Sequence, residues 1–180
     1  MKQTPWLKDI NQLAYIIPIY LPEGDGTEIM NAAGNCYYDS RNIRSLKRII
    51  CHHFALDYQA LRQHFCRRGG TGQTPLTLAP GYTLLAVKTR SARCAGDPCY
   101  GYVNLKMIAS VEKYDQEGFR ARLVLTNGGQ LFSVSSVKTI QNSLLLAKSM
   151  AVKESLPEDV TLADLLLRFL KLYEQEKKGL

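Results

Sequence analysis

The chain lacks several features that would make its function easy to read. Apolar runs such as Leu144–Ala147 and Leu165–Leu167 fall far short of the roughly 18–20 residues a membrane-spanning helix needs. The first ten residues have no apolar signal-peptide core and no lipidation signature is present, so the expected location is the cytoplasm, with no membrane partner. There is no GxGxxG and no GxxxxGK[ST]; Gly69-Gly70-Thr71-Gly72 is not followed by the Lys-Ser/Thr of a phosphate-binding loop and reads as a linker. The five cysteines are odd in number and irregularly spaced, which fits free thiols in a reducing compartment. Cys51, His52, His53, His64 and Cys66 cluster in sequence, but without the close pairs that converge on zinc. No strand–nucleophile–helix elbow surrounds any Ser or Cys, including the pair Cys51 and His64. The expectation is therefore a protein that is not an enzyme, with no cofactor, no metal and no small-molecule substrate.

Acid is the other scarcity, and it is local. Between residues 41 and 93 ten Lys/Arg face a single acid, Asp57, so this stretch carries +9 while the whole chain of 180 residues carries +7. The first 40 residues sum to −3 and the last 87 to +1. Uniform basicity serves solubility, whereas a basic block points to an anionic partner such as nucleic acid, an acidic protein or an acidic surface. With 46% hydrophobic residues the chain is not disordered and is long enough to bury one core.

The periodicity predicts an α+β fold: basic amphipathic helices, then an antiparallel sheet built of hairpins, then two C-terminal helices. Leu13–Tyr20 reads as a strand, and 27–38 as a second extended piece broken at Gly34. Ser40 is placed to cap a helix running from Arg41 to Phe54. On it Ile43, Leu46, Ile50 and Phe54 share one face, and Arg41, Arg44, Arg48 and His52 the other. A second helix, 57–67, turns Tyr58, Leu61 and Phe65 inward, carries Arg62, Arg67 and Arg68 at and beyond its length, and ends at Gly69-Gly70. From Pro75 the period changes to two. Strands are expected at 81–88, 99–105, 108–114, 119–125 and 130–134, with a hairpin turn at Asn127-Gly128-Gly129. Val137, Ile140, Leu144, Ala147 and Ala151 then line a helix capped by Ser135 or Ser136. Past Pro157, a capping box at Thr161 and Asp164 opens a last helix with the stripe Leu162, Leu165, Leu166, Phe169 and Tyr173. The natural division is one domain over 1–153 with a helical appendage at 154–180, which serves as core or as a dimer interface.

Two surfaces emerge as candidate contacts. Arg41, Arg44, Lys47 and Arg48, joined by Arg62, Arg67 and Arg68, make a row of cations that suits the phosphates of a nucleic acid. The loop 88–93, with Lys88, Arg90 and Arg93 between two apolar strands, suits a β-hairpin wing that inserts arginine into a narrow A·T-rich minor groove. The alternatives are an adaptor that offers its basic surface to an acidic protein, and an RNA-binding protein that stacks bases on Tyr58, Phe65, Tyr82, Tyr100 and Tyr102.

The stretch from Pro75 to Leu105, including Pro75-Leu76, Leu84–Val87, Thr89–Arg93 and Cys99-Tyr100, resembles the ComK family of competence transcription factors. The run Val124-Leu-Thr-Asn-Gly-Gly-Gln-Leu resembles that family's Asn-Gly hairpin. Upstream, residues 45–54 with Tyr58 and Arg62 are similar to its Cys-containing helix and the segment after it. The resemblance spans about residues 36–150. It departs at 54–62, where the family's Gly-Ser-Ser-Tyr-x-Gly-Arg is Phe-Ala-Leu-Asp-Tyr-Gln-Ala-Leu-Arg here. It implies a DNA-binding transcriptional activator of competence or a related programme. Such a protein acts as an oligomer on double-stranded DNA with paired A·T-rich boxes, largely through the minor groove.

Overall fold

The computed structural model describes residues 5–154. The expected last helix, its stripe Leu162–Tyr173 and the dimerisation assigned to it lie outside the described residues. Over 5–154 the architecture is α+β. A 3-10 helix at Pro5–Gln12 leads into β1 (Leu13–Leu21), β2 (Gly24–Asn31) and β3 (Cys36–Asp39). Then come α1 (Ile43–His53) and α2 (Tyr58–Arg67), followed by β4 (Leu76–Ala79), β5 (Tyr82–Lys88) and β6 (Tyr100–Asn104). A short 3-10 turn, Leu105–Met107, precedes β7 (Ile108–Gln116), β8 (Phe119–Leu125), β9 (Gln130–Ser133) and α3 (Val137–Glu154).

The strands form two antiparallel sheets. The larger has the order β3-β2-β1-β6-β5-β4, and the smaller the order β7-β8-β9. In the large sheet β1 and β6 meet at the centre, with Tyr15 opposite Val103 and Ile16 opposite Tyr102. Gly101 permits that approach. A Cβ there would stand 2.7 Å from Ile17 Cγ2 and 2.9 Å from the Ile16 carbonyl, which is closer than a side chain tolerates.

Both faces of the large sheet are covered, which explains why β1 and β5 read as continuous apolar runs rather than alternating ones. On one face Leu13, Ile16, Ile29, Leu84 and Tyr102 pack against Ile43, Leu46 and Ile50 of α1 and against Trp6 and Ile10. On the other, Ala14, Tyr15, Leu85, Val87 and Val103 pack against Ala121, Leu123, Leu125 and Leu131 of the small sheet and Ile140 and Ala147 of α3. The alternation expected for β8 holds, with Ala121, Leu123 and Leu125 buried. Gly128, in the predicted hairpin turn, has a φ of 82° that suits glycine.

The start of α1 differs from the sequence reading. Asn42, not Ser40, is the cap, and its side chain accepts the Ser45 amide at 3.1 Å. Arg41 therefore stands outside the helix. It forks onto Asp39, with Nε to Oδ1 at 2.8 Å and Nη2 to Oδ2 at 2.6 Å, while Trp6 Nε1 donates to the same carboxylate at 2.9 Å. A carboxylate two residues upstream outcompeted the helix for the arginine. Phe54 is the C-cap of α1 and, half-buried, packs against the same core as Ile43, Leu46 and Ile50, its ring meeting Tyr82 edge-on at 5.9 Å.

The Asp39 cluster makes stability depend on acid. Burial alone pushes this carboxyl up, but the bonds from Arg41 and Trp6 outweigh it and hold it at about 2. A carboxylate lowered in the folded state stabilises fully above its unfolded value near 4, and that contribution is lost as pH falls through about 2. We expect the stability gap between the wild type and Asp39→Asn, about 2 kcal/mol near neutrality, to close between pH 4 and pH 2. Paired urea titrations measure it, and a gap constant with pH would refute the assignment.

Candidate nucleic-acid interface

Residues 43–53 form a helix because Asn42 caps it and because Ile43, Leu46 and Ile50 bury one stripe on the sheet. That stripe turns Arg44 and Arg48 to the outside, one helical turn apart, with Lys47 half-buried beside them. From the sheet, β5 ends with Lys88 opposite Tyr100 of β6, on the same face as Ala86 and Tyr102. Helix and strand ends bound a groove of about 800 Å³. Arg44, Lys47, Arg48 and Lys88 all line it, together with Tyr58, Tyr100 and Tyr102.

The groove is electrostatically one-sided. Among the described residues Asp97 is its lone carboxylate, and Asp97 is already paired with Arg90 at 2.6 Å. Lys47 Nζ sits 3.7 Å above the Tyr58 ring, a cation–π contact that fixes both groups. The Arg44 guanidinium donates to the Gly96 carbonyl and so ties α1 to the loop after β5. Burial pushes the Cys51 thiol up, against the opposing pull of Lys47, and leaves it a neutral wall of the groove. Burial also raises Tyr102, helped by the neighbouring Tyr58 phenol, so the Tyr102 hydroxyl stays neutral at physiological pH. Among the described residues no group of three or more His, Cys, Asp or Glu converges as metal ligands do, and all five cysteines are unpaired.

The sequence block of cations is not gathered into one groove. Arg62 and Arg67 are exposed on α2 and do not line the groove; Arg67 belongs to a separate shallow cleft with Leu61 and His64. Arg68 caps the C-terminus of α2 and its Nη1 is sequestered without a hydrogen-bond partner. Arg41 is committed to Asp39, as described.

The loop 89–99 is not a projecting wing. Arg90 turns inward, with its side chain 11% exposed. It binds Asp25 at 2.5 Å and Asp97 at 2.6 Å through Nη2, and donates Nε to the Pro98 carbonyl at 2.9 Å. Its guanidinium also lies 3.8 Å from the Tyr20 ring centre. The guanidinium that the sequence offered to a DNA groove is thus engaged by two carboxylates and an aromatic ring within the fold. Arg93 remains exposed, stacked 3.7 Å from the same ring, and its amide donates to Asp97 at 2.9 Å. Tyr20 in turn donates its hydroxyl to Asp97. The loop is thus folded back against the β1–β2 hairpin.

Of the aromatics set beside the basic block by sequence, Tyr58, Tyr100 and Tyr102 reach the groove. Phe65 is buried, and Tyr82 spends its hydroxyl on the Ile10 carbonyl at 2.8 Å. Gln59 and Gln73 also line the groove. Neither carries a local signal that would have singled it out, since Gln73 sits in what reads as a linker.

Comparison with protein-family models, with curated proteins and with solved structures returned no match to this chain.

Proposed function

We propose that the protein is a DNA-binding transcriptional regulator whose duplex phosphates lie along the rim of this groove. The observation that carries the reading is convergence: Arg44, Lys47, Arg48 and Lys88, from a helix and a strand 40 residues apart in sequence, line one groove whose lone acid among the described residues is neutralised internally. Cations on rigid elements with no acid of their own are the footprint of a polyanion. The resemblance of residues 36–150 to competence transcription factors supports the same partner, double-stranded A·T-rich DNA, and an oligomeric form. Arg93 is the loop guanidinium left exposed for a minor groove, in place of the Arg90 and Arg93 pair.

The test is binding to A·T-rich, G·C-rich and single-stranded probes across a salt series. Four phosphate contacts predict a slope of log K against log salt of about −3 to −4 on duplex DNA. A slope near zero, or co-purification with an acidic protein in place of DNA binding, would overturn the reading.

A further inference from the structure

A duplex laid across the rim leaves the floor of the groove unused. Its lining also includes Tyr58, Tyr100, Tyr102, Gln59 and Gln73, and the paired, stacked bases of a duplex do not leave the helix to reach them. About 800 Å³ falls inside the range of pockets that hold small ligands, and such pockets pair aromatic walls with a few placed polar groups. Here the polar groups divide by chemistry. The four cations suit a phosphate chain. The phenol rings offer stacking surfaces, and the two amides each present a donor and an acceptor to the edge of a heterocycle.

We propose that this groove binds a free nucleoside phosphate, with the phosphates on Arg44, Lys47, Arg48 and Lys88 and the base against Tyr100. The proposal rests on reading those four side chains as phosphate contacts, and it adds a regulatory consequence. Nucleotide and duplex compete for the same cations, so the ligand releases the protein from DNA. Tyr58 is less available to a base than Tyr100, because Lys47 already covers its ring at 3.7 Å. Tyr102 is 3% exposed and forms the back wall.

Calorimetry in magnesium-free buffer with ATP and with inorganic tripolyphosphate tests it. The two share a phosphate chain, and tripolyphosphate carries at least as much charge, so phosphate attraction alone gives ATP no advantage. A stacked base predicts that ATP binds at least about tenfold tighter. Tyr100→Ala should erase that advantage while tripolyphosphate affinity stays unchanged, which also reports that the variant is folded. In a second measurement ATP should displace an A·T-rich duplex at a concentration set by its own affinity. Equal or tighter binding of tripolyphosphate to the wild type overturns the nucleotide site while leaving DNA binding, judged by its salt slope, intact. Failure of tripolyphosphate, ATP and duplex together overturns the phosphate reading beneath it.

Discussion

Arg90→Ala is expected to lower folding stability by about 3 kcal/mol or more, the scale of removing one partner from a sequestered ion pair. The side chain makes four separate interactions: with Asp25, with Asp97, with the Pro98 carbonyl and with the Tyr20 ring. The Asp97 side chain is 3% exposed, so water does not replace the lost donor. Asp25, at 31%, is rehydrated more easily. Arg90→Lys should recover only part of the loss, because an ammonium is not a planar fork. Asp25→Asn should cost less than Arg90→Ala for the same reason of exposure. Urea midpoints of the three variants give the ranking, and an Arg90→Ala variant within 1 kcal/mol of wild type would show that the loop is held by something else.

The second large effect falls on binding alone. The side chains of Arg48 and Lys88 have no hydrogen-bond or ion-pair partner among the described residues, whereas Arg44 donates to the Gly96 carbonyl and Lys47 lies over the Tyr58 ring. Arg48→Ala combined with Lys88→Ala should weaken duplex binding on the order of 100-fold at low salt, as two charge-assisted phosphate bonds are lost. The salt slope should become shallower by about two. The urea midpoint should not move, since neither side chain anchors the fold. Unchanged DNA affinity in this double variant would place the duplex elsewhere, with the exposed Arg62 and Arg67 of α2 the next surface to replace.

Much of the fold was legible because its periods are local. The 3.6-residue stripe of α1, the alternation of β8 and the Asn127-Gly128 turn each depend on neighbours within a few residues. The site was legible only in part, because its decisive contacts are distant in sequence. Nothing near Arg90 announces Asp25, 65 residues away, although Asp97 seven residues on was a visible partner. The helix starts two residues later than the sequence reading places it: Asn42 takes the cap, and Arg41, one residue before it, forks onto Asp39. The grouping of Lys88 with Arg44 and Arg48 follows from the pairing of β5 with β6 and the seat of α1 on that face, and no local pattern encodes either.

The order of strands in the large sheet governs how the chain can be assembled as it is made. Strand β1 leaves the ribosome well before its central neighbour β6, which lies about 85 residues later. Until Tyr100–Asn104 emerges, β1 and β2 form a hairpin with one open edge and with Ile16, Ile17 and Ile19 displayed on it. Pairing across so long a loop is slow, and an open apolar edge invites other strands in the meantime. The helix α1 emerges midway through this interval and seats Ile43, Leu46 and Ile50 on one face of the hairpin. The helix that carries Arg44 and Arg48 thereby also covers an apolar face of the strands that precede it.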